Sequence, residues 1–366
     1  MTKSIALYEM RNTPIPKLLL LLILLSISFA QDFSPKIKYN PKKYIAYRID
    51  QPIIIDGKLN DSQWSNVEWT DDFVDIEGSL KPNPFFNTKV KMLWDSTYFY
   101  FGAQLEEPHV WATLTQRDAV IFKDNDFEIF LDPDGDTHNY YELEINALGT
   151  EWDLLLLKPY HDGNKVAIDS WDIAGLKSKV FIDGTINDPS DTDIGWSVEV
   201  AIPWQVLEEA APNFHPEIGE QWKVNFSRVH WNRDIINGKY VKTKEREYNW
   251  VWSPQGKINM HIPENWGYLI FSDNSLITQI SYKTDIELEQ TLYAIFREIR
   301  FGNLKELTNL KQGAKIEFKP EKLNDKTIFS TFYKTSNGFR IESKYKTGIL
   351  KYSIDQSGLI NKKSSF

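Results

Sequence analysis

Phe127-Glu128-Ile129-Phe130-Leu131, then Asp132-Pro133-Asp134-Gly135-Asp136, then Tyr140-Tyr141-Glu142-Leu143-Glu144-Ile145-Asn146 read in succession as strand, turn and strand. The outer runs are rich in aromatic and aliphatic residues. The middle run gathers Pro, Gly and Asp, which turns prefer. The pattern continues in both directions. Val90–Trp94 and Tyr98–Gln104 are β-rich runs split by Asp95-Ser96-Thr97, and Glu151–Leu157, Gly195–Ile202 and Trp222–His230 are further strands. The one good helix signal in this part is short, Trp204–Glu209 after Pro203. Many strands with few helices predict an antiparallel β-sandwich.

Composition sets the limits of this unit. All thirteen tryptophans lie between Trp64 and Trp266, and the last hundred residues hold none. Charge breaks at the same place: residues 32–272 carry 23 basic and 39 acidic side chains, residues 273–366 carry 16 and 11. We place the sandwich at 44–272, a linker at 31–43 and a separate tail at 273–366. An acidic main domain excludes nucleic acid as a partner, since phosphate binding needs basic surface. In the tail, Thr284-Asp285-Ile286-Glu287 reads as a capping box. Leu288, Leu292, Ile295, Phe296 and Ile299 follow at helical spacing up to Gly302, predicting a helix at about 285–301. Ile316–Phe318, Thr327–Tyr333, Phe339–Lys344 and Leu350–Ile354 then read as strands, with Asn337-Gly338 as a hairpin turn. The tail is thus a small α+β appendage, with a structural role or a protein partner to dock.

At the start, Lys17 precedes the apolar run Leu18–Leu25, and Ser28-Phe29-Ala30 places small residues where a signal peptidase cuts. Residues 1–30 read as a secretory signal, which makes the protein periplasmic or extracellular. Translation from Met10 rather than Met1 would give a more regular signal. No later run approaches the roughly 20 apolar residues of a membrane span, so no transmembrane segment is expected in the mature chain. With no cysteine, the chain has neither disulfides nor thiolate chemistry.

Several phrases in order resemble the family 9 carbohydrate-binding modules. They are Ile55-Asp56-Gly57-Lys58-Leu59-Asn60-Asp61 with Trp64; Leu93-Trp94-Asp95 with Tyr98-Phe99-Tyr100; Asp126–Asp132; Trp196–Trp204; Trp252-Ser253-Pro254; and Trp266-Gly267-Tyr268-Leu269. The ending Met260–Gly267 is similar to free-standing exported members. The resemblance implies a DOMON-related sandwich, structural calcium, and a saccharide held at one end between two tryptophans. It links the protein to polysaccharide catabolism, as a non-catalytic binder of an oligo- or polysaccharide. Carried over position by position, the two clamp tryptophans are replaced here by Phe122 and Met260. The polar readers fall on Glu144 and Asn146 in one strand and on Asn225 and Arg228 in another. Trp231 and Trp250, beside the charged loop 232–249, are candidate replacements for the lost stacking rings, with core packing as the other reading.

Asp132, Asp134 and Asp136 alternate around Gly135, and alternate Asp in a tight turn supplies the hard oxygens calcium prefers. The same residues also suit a solvated hairpin. A weaker acidic group is Asp188, Asp191 and Asp193, and Asp56 and Asp61 fit either ligands or turn-formers. Two other chemistries have candidate residues in this chain. Glu142 with Glu144, or Asp126 with Glu128, lie about 6.5–7 Å apart on a strand face, as glycoside hydrolysis needs. Haem ligation would draw on Met92, Met260, His230 and His261. If the segment is extended, though, Met260 and His261 point to opposite faces. No nucleophile elbow is present. A secreted scaffold with a vestigial sugar site is the remaining alternative.

Overall fold

The computed structural model of the chain describes residues 40–273, 285–323, 325–346, 348 and 350–364. The signal reading at 1–30 lies outside these residues. Strand pairing joins thirteen strands into one curled sheet. In chain order the strands are β1 Lys43–Arg48, β2 Val74–Asp75, β3 Thr88–Trp94, β4 Tyr98–Glu106, β5 Asp126–Asp132, β6 Tyr140–Asn146, β7 Glu151–Leu156, β8 Ala167–Ile168, β9 Lys177–Asp183, β10 Gly195–Pro203, β11 Gln221–His230, β12 Arg233–Ile236, β13 Lys239–Lys242, β14 Tyr248–Val251 and β15 Gly267–Ser272. The order across the sheet is β8-β7-β6-β5-β11-β15-β1-β3-β4-β10-β9, with β14 on β11 and β2 on β14, while β12 and β13 form a separate hairpin. Pairing is antiparallel except at β1, which runs parallel to both β15 and β3 and joins the two halves.

The sheet forks at β11. Its first half, Gln221–Val224, pairs with β15, and its second half, Ser227–His230, pairs with β14. Asn225 fills the gap with its side chain, donating to the Ser253 carbonyl and accepting from the Ser253 amide, both at 2.9 Å. An amide side chain offers the same donor and acceptor as a backbone peptide, so the ladder continues without a strand.

Aromatic packing fills the space between the halves. Phe226 stacks on Phe127 and meets Phe101 edge-on from the opposite layer. Nine of the thirteen tryptophans are buried. Several of their indole nitrogens find partners, as buried indoles usually do: Trp94 on the carbonyls of Ala46 and Ser272, Trp204 on Asp95, Trp266 on Met260. Glu199 explains two distant phrases at once. It accepts from the amides of Asp56 and Gly57 and from Trp64 Nε1, each at 2.8 Å. Gly57 has φ +88° and sits against the backbone of Val180 and Phe181, where a Cβ would lie 2.7 Å away. Only glycine fits there.

Three expectations needed revision. Trp204–Leu207 is a single 3-10 turn, shorter than the helix read at Trp204–Glu209. The Tyr141 hydroxyl takes the Leu207 carbonyl and accepts from the Ala210 amide, which closes the turn early. The tail helix α1, Ile286–Phe301, is capped by Asp285, whose side chain accepts from the Leu288 amide; Thr284 lies outside the described residues. The tail sheet has six strands: β16 Lys315–Glu317, β17 Glu321–Leu323, β18 Lys326–Lys334, β19 Phe339–Tyr345, β20 Leu350–Asp355 and β21 Ile360–Ser364. The short, polar β17 and β21 carry little hydrophobic alternation, so the sequence did not announce them. No helix among the described residues is long and apolar enough to cross a membrane.

The tail has its own apolar core, yet it docks on the sandwich through charge. Lys223 of β11 reaches Glu289 of α1 at 2.5 Å. Arg297 spans Asp162 at 2.6 Å and Glu264 at 2.7 Å. Gln290 donates to the Glu264 carbonyl, and the Tyr293 hydroxyl to the Asp136 carbonyl.

Candidate functional site

Adjacent strands β5 and β6 set Glu128 opposite Glu144 and Phe130 opposite Glu142. Alternation then puts Asp126, Glu128 and Phe130 on one face of β5, with Glu142, Glu144 and Asn146 beside them on β6. A 3-10 turn at Ile121–Lys123 carries Phe122 over this wall. The Phe122 amide donates to Glu144 at 2.9 Å, so the turn is pinned to the strand. The segment Ile258–His261 closes the other side. Together these elements enclose a cleft of about 290 Å³, also lined by Trp152, Tyr160, Glu247 and Asn249.

The cleft therefore brings together Phe122, Glu144 and Met260 from the sequence-read set. Phe122 is 39% exposed and Met260 8%. The other candidates are engaged elsewhere. Asn146 is fully buried at the end of β6; its amide donates to the Leu114 carbonyl and to Asp124, and its oxygen accepts from Leu148 and Thr150. Asn225 bridges the fork of β11. Arg228 is buried against Glu107 at 2.9 Å and also donates to Thr88. Trp250 is buried, with His230 stacked on it at 5.0 Å and Arg228 at 5.1 Å from its ring. Phe85 and Phe86 also meet its ring edge-on, so it is core and not a flank of an open loop. Trp231 stands outside the cleft and braces it: Nε1 donates to the Phe122 carbonyl at 2.8 Å, while Lys242 covers its ring at 3.2 Å.

Sequence reasoning missed Glu107, the anion that holds Arg228, Arg233 and His230 together. Burial raises its pKa, but the His230 hydrogen bond and the charges of Arg228 and Arg233 outweigh this and hold it at about 2. It also missed Trp152, Tyr160, Asn249 and His261 as lining residues. His261 and Met260 both line the cleft because residues 260–262 are not extended strand, which corrects the opposite-face expectation. The Tyr140 hydroxyl occupies His261 Nδ1 at 2.8 Å, and burial depresses the imidazole to about 3, so it stays neutral.

The acidic wall is the chemical signature of the site. Burial pushes Glu128 up to about 7. Burial, then the neighbouring Glu128 charge, raises Asp126, Glu142 and Glu144 well above the carboxylate range. Protonation-competent carboxyls in a cleft were not anticipated from the sequence.

At the turn after β5, Asp132, Asp134 and Asp136 each offer an oxygen within 4.8 Å of the others. Asp132 is buried and accepts from the amides of Gly135 and Thr137 at 3.0 Å. The remaining acidic candidates act within turns: Asp193 accepts from Val110 and Thr185, Asp191 from Thr185, Asp188 from Ser190, Asp56 from Lys58 and Asp61 from Ile54.

A family description, carbohydrate family 9 binding domain-like, matches residues 55–226. Those residues are a family 9 carbohydrate-binding domain-like region. No curated protein matches the chain. Among solved structures, a family 9 carbohydrate-binding module from Caldicellulosiruptor kristjanssonii, in complex with cellotriose, is 17% identical with a TM-score of 0.42 and covers 66% of this chain and 100% of its own. A putative carbohydrate-binding protein from Bacteroides uniformis is 18% identical with a TM-score of 0.46 and covers 64% and 100%. The family 9-like region holds Phe122, Glu128, Glu142, Glu144 and Trp152. Met260 and the segment that closes the cleft lie beyond it, as does the tail.

Proposed function

We propose that this is an exported, non-catalytic carbohydrate-binding protein that holds one end of a saccharide in the cleft between Phe122 and Met260. The carrying observation is that the two residues standing where the family places its clamp share a single open cleft. Phe122 offers a ring to a pyranose face, Met260 a polarizable surface. Glu144, Glu142 and Asn249 are within the same walls to accept from or donate to hydroxyls. A volume of about 290 Å³ is at the lower edge of small-ligand sites, which run roughly 300–1,000 Å³. It suits one sugar unit at a chain end. Affinity in the micromolar to millimolar range, about −8 to −4 kcal/mol, is expected. Calorimetric titration with gluco-, xylo- and manno-oligosaccharides tests the reading, and flat heats throughout would sink it.

The export reading rests on residues 1–30 and places the protein in the periplasm or outside the cell, in service of polysaccharide breakdown. Calcium is proposed at Asp132, Asp134 and Asp136, where clustered oxygens and a buried carboxylate fit a hard cation. It would brace the β5–β6 turn, against which Tyr293 of the tail rests. Hydrolysis is favoured less. Glycosidases place two carboxyls on either side of the bond, whereas Glu128, Glu142 and Glu144 sit side by side on neighbouring strands.

A further inference from the structure

We propose that Asp126, Glu128 and Glu144 form a second divalent-cation site, at the floor of the cleft and separate from the Asp132–Asp136 turn. Each offers a carboxylate oxygen within 4.8 Å of the other two, and all three side chains are buried. Two oxygens bound to one calcium at about 2.3–2.6 Å stand no further apart than twice that distance, so the cluster fits a single ion.

The independent sign of a missing partner is Asp126. It is 0% exposed, and its Oδ2 has no hydrogen-bond partner among the described residues. Its Oδ1 accepts from the Val229 amide at 3.1 Å, which fixes the carboxyl in place. A buried carboxylate oxygen left unmatched costs several kcal/mol unless the group takes a proton or a cation. Nothing basic answers it: the charges nearest Asp126 are the acids Glu128, Asp124 and Glu142, and the lining of the adjoining cleft contains no Lys or Arg.

A comparison within the same protein shows how this fold neutralises acids when it means to. Asp118, Asp153 and Asp172 form a cluster of the same size. There Arg117 sits among them, 2.5 Å from Asp153, 3.2 Å from Asp172 and 3.6 Å from Asp118. At Glu107, three basic side chains converge on one carboxylate. The floor of the cleft has neither arrangement. Three carboxylates supply at most six oxygens, and calcium takes six to eight. Glu128 and Glu144 line the cleft, so the positions left over face ligand space. On the saccharide reading above, sugar hydroxyls would complete the shell, and sugar affinity would depend on the ion.

The test is calcium titration of the full chain, stripped with EDTA, without sugar, in a D134N/D136N background that removes the turn as a competitor. We expect a one-site calcium heat and a rise in melting temperature. Adding D126N and E128Q should abolish both, and E144Q alone should weaken calcium about tenfold or more. In EDTA, the D126N/E128Q protein should melt no lower than its parent, because amides relieve the repulsion between buried acids. That result separates loss of the ion from loss of the fold. The proposal is overturned if the D134N/D136N protein shows no calcium response, or if the response survives D126N/E128Q. A saccharide titration with and without calcium is scored separately, so calcium binding without sugar binding would refute the saccharide reading alone.

Discussion

Glu107 is the residue on which one end of the sandwich is tied. It is 1% exposed and joins β4 to β11 and to the β12–β13 hairpin through Arg228, His230 and Arg233. Its folded pKa of about 2 lies below the ordinary 4.5. It therefore contributes stability above pH 4.5 that is lost as pH falls toward 2. His261, held at about 3 against an ordinary 6.5 by desolvation, acts in the same direction between those values. Glu128, pushed up to about 7, has the opposite sign: its contribution is present below 4.5 and lost as pH rises through 7. Comparing wild type with Glu107→Gln isolates the first effect. Urea midpoints at pH 7, 5 and 3 should show the variant weaker at pH 7 and the gap closing at pH 3; a constant gap would contradict the assignment. The sequence identified Glu144 as a cleft residue because alternation along a strand is simple to count. It misplaced Asn146, Asn225, Arg228 and Trp250 because alternation gives which residues share a face and not what covers that face. Asn146 shares the face of Glu144 but is consumed by Leu114 and Asp124, and Phe85 and Phe86, far away in sequence, pack against the ring of Trp250.

The elements were legible in proportion to their hydrophobic pattern. β5, β6, β10 and β11 were all readable, as was the amphipathic α1. The hairpin β12–β13 was read as a charged loop, since its residues carry no core-facing stripe. Its role lies in Lys242, which covers Trp231 and donates to the Lys123 carbonyl beside Phe122. Nor could the docking of α1 be read, because its contacts are ion pairs between groups far apart in sequence. Arg297 is fixed between Asp162 and Glu264, all three largely buried. Arg297→Ala would remove the cation shared by two buried carboxylates and should cost about 3–5 kcal/mol in chemical denaturation. A change under about 1 kcal/mol would mean that the tail is held by other contacts. Removal of calcium from the β5–β6 turn should also be felt here. EDTA is expected to lower the melting temperature of wild type and to leave D134N/D136N less affected, whereas an unchanged wild-type melt would argue against any structural ion.

At the scale of the molecule, the order of the motif phrases was readable and the curled sheet follows from it. Segregation of tryptophan and charge suggested a boundary near residue 273, but gave no sign that the tail packs back on the sandwich. The two units have separate apolar cores and share a charged seam over Lys223, Glu264 and Asp136. The tail thus rests on the turn that follows β5, the strand that also builds the acidic wall. The proposed saccharide and cation sites and the docked tail all lie along β5, β6 and β11. The proposed function depends on Phe122, an exposed ring of the cleft whose carbonyl Trp231 holds from behind. The most direct test is calorimetric titration of the full chain and of Phe122→Ala with a panel of gluco-, xylo- and manno-oligosaccharides. The account predicts a saccharide that binds wild type with micromolar to millimolar affinity and binds the variant about tenfold more weakly, a loss near 1.4 kcal/mol. Failure of every saccharide to bind wild type, or equal binding by both proteins, would contradict it.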